Sequence, residues 1–125
     1  MYQRNYTQEK ISNKNYRETI FGRSKRLLNN AKHRAIKRNI VFNLTEEWVL
    51  NKLNLGVCEL TNIPFDLTFS TTTKDNPFAP SLDRIDSSIG YTPENTRVIL
   101  WCVNRALGQE GLNILKPVFK ILAEL

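Results

Sequence analysis

PSLDRIDSSIGYTPENTRVILWCVNRA, residues 80–106, is the stretch around which the chain is organised. It holds two candidate metal-binding side chains, Asp83 and Asn104, separated by a loop and an apolar run. Residues 81–85 set Leu82 and Ile85 among polar neighbours and can form a strand. SSIGYTPEN is a loop in which Gly90 is open to a positive φ and Pro93 restricts the chain. Residues 96–101 are β-branched and apolar, the composition of a buried strand. Residues 103–107 begin a helix. The local order is therefore strand, loop, strand, helix.

Working back, VCELTNIPFDLTF (57–69) reads as a hairpin, with strands over 57–60 and 65–69 and a turn at 62–64. The polar, proline-ended run at 70–80 is an exposed loop. FNLTEEWVLNKLNLG (42–56) reads as a helix. Asn43 or Thr45 supplies its N-cap, Glu46 and Glu47 suit the positive end of its dipole, and Gly56 terminates it. Its buried face is Trp48, Val49, Leu50 and Leu53. A longer helix is expected over 15–39, because Ile20, Leu27, Leu28, Ala31, Ala35 and Ile36 recur at helical spacing. Gly22 breaks or bends its start, and Asn39 caps its end. Residues 1–14 form a polar, mobile tail in which Tyr2 and Tyr6 lie among basic residues. At the other end, GQEGLNILKPVFKILAEL is a strongly apolar helix, kinked or started late by Pro117. It is assigned to core packing or to a dimer contact.

Charge divides the chain. The net charge is +6, but residues 1–40 hold 11 basic and 2 acidic side chains (+9), and the remainder holds 7 basic and 10 acidic (−3). A basic third beside a mildly acidic body suits a phosphate-binding arm next to a site that gathers carboxylates. A solvated basic helix face explains the same charges equally well. The arm's candidate nucleic-acid contacts are Arg23, Lys25, Arg26, Lys32, Arg34, Lys37 and Arg38. His33, alone among them, reads as a surface residue.

At 125 residues and 41% hydrophobic content, the chain suits one domain with a core of its own. No run approaches the ~18 apolar residues of a membrane helix, and the N-terminus lacks the apolar core of a secretory signal. The expected compartment is the cytoplasm, that of a bacterial host if the chain is phage-encoded. Cys58 and Cys102 are far apart and in no CxxC pair, so they read as free thiols rather than as part of a structural zinc site.

The pattern D-R-I-D, then N-T-R-V-I, then N resembles the HNH, or ββα-metal, endonuclease motif. SLDRID…GYTPENTRV…W…N, with FNLT and CELTNIPF upstream, is similar to small phage and bacterial HNH-like proteins without structural zinc. On that wider view the resemblance covers residues 25–108. It implies an α+β fold: a small ββα-metal domain with an N-terminal basic helix and a C-terminal packing helix. The divisions are a tail at 1–14 and one domain at 15–125. That domain comprises a basic helical region (15–56), the hairpin and ββα-metal core (57–108) and the last helix (109–125).

The resemblance further implies that Asp83 and Asn104 hold one divalent cation, Mg²⁺ or Mn²⁺, and that Asn95 orients the loop. Arg84 stands where the catalytic His is found, and arginine, always protonated, is a poor base. Its implied role is to bind the scissile phosphate or the developing charge, leaving Asp86, Tyr91 or hydroxide as the base. Arg97 and Arg105 flank the site and can touch phosphates. The implied activity is cleavage or nicking of DNA, with RNA as an alternative substrate, by a monomer or homodimer that involves no membrane.

Taken singly, these residues have plainer explanations. Asp83 or Asp86 can cap a turn, Asn95 can make an Asx turn and Asn104 an N-cap, and Arg97 can be a strand-edge charge. Two other functions therefore stand beside the enzyme. One is an inactive HNH-fold nucleic-acid-binding module, favoured by Arg84. The other is a protein-interaction or inhibitor domain that meets acidic partners through the basic arm.

Overall fold

The computed structural model describes residues 13–68 and 76–125. Most of the tail assigned to 1–14, with Tyr2 and Tyr6, lies outside the described residues. So do Phe69, at the end of the expected return strand, and most of the following loop.

Helix α1 spans Ile20–Arg38. Thr19 is its N-cap, its hydroxyl accepting from the Gly22 N–H at 3.0 Å. Asn39 ends it in the left-handed region, φ 54°, with its N–H on the carbonyls of Ala35 and Ile36. Gly22 does not break α1. A separate helical turn over 13–17 folds back onto it, and a Cβ there would lie 2.1 Å from the Tyr16 carbonyl oxygen. The glycine is a point of close approach.

Helix α2, Glu46–Leu55, is capped by Thr45, whose Oγ1 accepts from the Trp48 N–H at 3.1 Å. Gly56 closes it at φ 75°. Asn43 has another use: its N–H donates to the Tyr91 carbonyl at 3.0 Å. The helices α1 and α2 pack on each other through Ala31, Ala35, Val49 and Leu53. Leu44, Leu82, Tyr91 and Val98 complete that core.

The sheet is a two-stranded antiparallel ribbon, β1 Pro80–Arg84 and β2 Thr96–Leu100. Its register sets Leu82 opposite Val98, Asp83 opposite Arg97 and Arg84 opposite Thr96. The segment before β1 is not the expected two-stranded hairpin. It makes one bridge, Val57 to Pro64, flanked by the Cys58 N–H on the Ile63 carbonyl and the Phe65 N–H on the Gly56 carbonyl, both at 2.9 Å. It covers the outer edge of β2 instead. The Glu59 N–H donates to the Val98 carbonyl, the Glu59 carboxylate accepts from the Val98 N–H, and the Cys58 sulfur accepts from the Leu100 N–H. Side-chain acceptors thus protect a sheet edge. Cys58 also joins Ile99, Leu100 and Leu107 in a second core cluster, and both cysteines are free thiols.

Gly90 is also a point of close approach, not a positive-φ residue. A Cβ there would lie 2.2 Å from the Val41 carbonyl oxygen. The Tyr91 N–H donates to that same oxygen, which docks the loop between the strands onto the connector that follows α1.

Helix α3, Trp101–Leu107, leaves β2 without a side-chain cap. Its first two N–H groups, on Trp101 and Cys102, donate to the carbonyls of Ala79 and Pro77, so free helix donors pin α3 to the approach to β1. Helix α4 runs Leu112–Ala123 with Pro117 inside it rather than at its first turn. Leu115 and Phe119 pack against the second core cluster. No α4 residue is buried, and Ile114, Ile121 and Leu122 are more than half exposed. The expected core role is thus limited to two side chains.

Candidate active site

A cleft of about 510 Å³ lies between the flank of α1 and the β1–α3 unit. Asp83, Arg84 and Asn104 line one side, and Arg23, Arg26, Arg34 and Arg38 line the other. Residues brought in from positions 23 to 104 therefore meet in one concavity.

Asp83 lies near the end of β1. Its Oδ2 accepts from Arg97 Nε at 2.8 Å, and both side chains are mostly buried, 10% and 17% exposed. The antiparallel register causes this contact, since the two residues are direct cross-strand partners. Among the described residues, nothing donates to its other carboxylate oxygen.

Asn104 sits one turn into α3 and faces back across β1. Its Nδ2 donates to Ser81 Oγ at 2.8 Å and to the Leu82 carbonyl at 3.2 Å. A carbonyl only accepts, so this pairing fixes which end of the amide is nitrogen. The Oδ1 then points away from β1, and no described residue donates to it. Asp83 and Asn104 thus both line the cleft, each with one side-chain oxygen to which no described residue donates. Among the described residues, no three His, Cys, Asp or Glu side chains cluster.

Asn95 stands behind the loop rather than in the cleft. It is buried, its Oδ1 accepting from the Asp86 N–H at 2.9 Å. Its Nδ2 donates to the carbonyls of Asp86, Gly90 and Ile89 at 3.0, 2.9 and 3.3 Å. One amide therefore ties both ends of the 86–90 turn.

Arg84 follows Asp83 and turns towards that loop. Its Nη1 donates to the carbonyls of Ser87 and Ile89 at 2.7 and 3.1 Å, and its guanidinium lies 5.4 Å from the centre of the Tyr91 ring. The Tyr91 hydroxyl accepts from Arg34 Nε at 3.0 Å, which places this phenol between two guanidinium groups. Asp86 lies in an exposed turn outside the cleft lining. The Ser88 hydroxyl and N–H donate to its carboxylate and hold it below the usual carboxylate range.

The basic residues separate by position. Arg23, Arg26, Arg34 and Arg38 form one stripe of α1 along the cleft, whereas Lys25 and Lys32 lie on the opposite face and Lys37 is exposed outside the lining. Arg97 is engaged by Asp83. Arg105 stacks on Trp101, 5.1 Å from the ring centre. Trp101 lines the cleft and is only half-buried, although an apolar strand-end tryptophan reads from sequence as core. Ser81, which anchors Asn104, carries no sequence signal of its own.

The fold resembles that of a solved structure of the rare-cutting HNH restriction endonuclease PacI, with a TM-score of 0.58 at 17% identity, over 81% of this chain and 77% of that one. No protein-family model and no curated protein matches the chain. An HNH-like α+β architecture is therefore shared at a level where sequence likeness has faded.

Proposed function

We propose that the chain is a metal-dependent endonuclease that cuts or nicks DNA. The observation that carries this reading is that Asp83 and Asn104, each with a side-chain oxygen to which no described residue donates, line one cleft with Arg23, Arg26, Arg34 and Arg38. The restriction-endonuclease activity of the structural neighbour PacI supports the same substrate class.

The donor set suits a hard cation that keeps several waters, as Mg²⁺ or Mn²⁺ does with one or two protein oxygens. Asp83 and Asn104 would hold it, and when bound it supplies positive charge to the scissile phosphate and the leaving oxygen. The chain's own groups do the rest. Ser81 and the Leu82 carbonyl orient Asn104, and Asn95 shapes the turn that Arg84 grips. Arg84 donates to the phosphate as charge develops. Of the two side-chain candidates for the base, Tyr91 lines the cleft and Asp86 does not, so Tyr91 is preferred. The arginine stripe supplies salt-dependent affinity for the backbone.

A second reading, a non-cutting DNA-binding module of the same fold, is favoured by the Arg97 contact, which already balances the Asp83 charge. Plasmid nicking with Mg²⁺, Mn²⁺ or EDTA separates the two. A metal-dependent nicked product is expected, and DNA binding without any such product would leave the second reading standing.

A further inference from the structure

We propose that Arg23 anchors a second phosphate subsite, at the N-terminal end of the α1 stripe, that holds the DNA backbone several nucleotides from the cut. This deepens the endonuclease reading and depends on it for the position of the cut phosphate.

Arg23 is unlike the other arginines of the cleft. It is buried, 6% exposed, yet it lines the cavity. Its Nη2 donates to the Leu67 carbonyl at 3.0 Å, and its Nε is buried with no partner. Among the described residues no carboxylate forms an ion pair with it. Asp66 and Glu18 act on it only as longer-range charges, while burial and the neighbouring Arg26 disfavour its charged form. Among the described residues, this desolvated guanidinium with a like-charged neighbour has no ion-paired counter-anion. A phosphate oxygen entering the cleft supplies one, and arginine's planar fork matches it.

Position gives the subsite its meaning. Arg23 precedes Arg34 by eleven residues on a continuous helix, about 16 Å at ~1.5 Å per residue. Arg34, one turn before the stripe ends at Arg38, marks the part that lies beside Tyr91 and Arg84. Phosphates of one DNA strand advance about 3.4 Å each along the axis. The Arg23 subsite therefore falls about five nucleotides from the phosphate at that end. The cleft thus gauges substrate length, since a short diester fills the reacting end and leaves Arg23 empty.

The test uses the full chain and DNA duplexes in which single phosphates are replaced, one at a time, by neutral methylphosphonates, with binding measured in EDTA. Two of the strongest sensitive positions are expected about five nucleotides apart, each weakening binding about tenfold. The Arg23→Lys variant keeps the charge but loses the fork. It should be insensitive at the distal position while keeping the native sensitivity at the reacting-end position. A flat scan, a single sensitive position, or a distal position still sensitive in Arg23→Lys overturns the subsite. The scan on the native protein decides the matter even if the variant folds poorly. Absence of metal-dependent cleavage alongside a two-position scan would overturn the endonuclease reading and leave the subsite in place.

Discussion

Asp83 and Arg97 face each other across the β1–β2 ladder, Oδ2 to Nε at 2.8 Å, and so the proposed metal-binding carboxylate already has a cation beside it. The contact is a single hydrogen bond to one oxygen, not a two-armed clasp, and among the described residues nothing donates to the second oxygen. Arg97 both positions the carboxylate and competes with any metal for its charge. Arg97→Gln should bind Mn²⁺ more tightly, by about tenfold for a unit charge removed at close range and intermediate dielectric. It should also lose about 1–3 kcal/mol of stability from a mostly buried pair. Calorimetric Mn²⁺ titration and urea unfolding read the two effects separately. Unchanged metal affinity would show that Arg97 is purely structural.

Asn95 makes four hydrogen bonds with the 86–90 turn, three as donor and one as acceptor. Asn95→Asp keeps the shape but points a carboxylate oxygen at three carbonyls. It should cost at least as much as Asn95→Ala, about 2–4 kcal/mol, because buried acceptors would face a charge with no donor between them. Thermal unfolding of the two variants checks the ranking, and a milder aspartate variant would contradict it.

Gly90 and Gly22 should differ in the reach of their effects. A methyl at Gly90 meets the Val41 carbonyl, which the Tyr91 N–H also uses, so Gly90→Ala should unlatch the site loop from the α1 connector. The expected loss is about 3 kcal/mol or more, as for overpacking against backbone. A methyl at Gly22 meets only the fold-back turn at Tyr16, which can detach. Gly22→Ala should therefore cost about 1 kcal/mol or less. Amide exchange should show faster exchange at Tyr91 in Gly90→Ala and native exchange there in Gly22→Ala.

Thr96 is buried opposite Arg84, with a hydroxyl that has no partner among the described residues. Thr96→Val replaces that hydroxyl with a methyl of similar size and should be neutral or stabilising by up to about 1 kcal/mol. A clear loss on urea unfolding would mean that the hydroxyl is satisfied in solution.

Much of this was legible in local sequence chemistry. Asn39, Thr45 and Gly56 end or begin helices through short-range rules, and the strand, loop, strand and helix around Asp83 and Asn104 lie where their composition indicates. What depends on tertiary approach was not legible. Gly90 reads as a positive-φ residue until Val41 is seen against it. The Glu59 and Cys58 side chains cap a sheet edge that the alternation of 57–60 does not reveal. The Arg97 contact with Asp83 needs the register of a ribbon whose long connecting loop leaves register open. Burial of Arg23, against an otherwise exposed basic face, follows from Leu67, 44 residues away.

The most direct test of the central claim is a plasmid-nicking time course for the native chain, Asp83→Ala and Asn104→Ala across a Mg²⁺ titration, with DNA affinity measured alongside. The native chain should nick in a metal-dependent manner. Nicking should fall about 100-fold or more in each variant, as for loss of a metal ligand, with binding held within about threefold by the arginine stripe. Native-rate nicking by either variant, or nicking by the native chain that persists in EDTA, would contradict that claim.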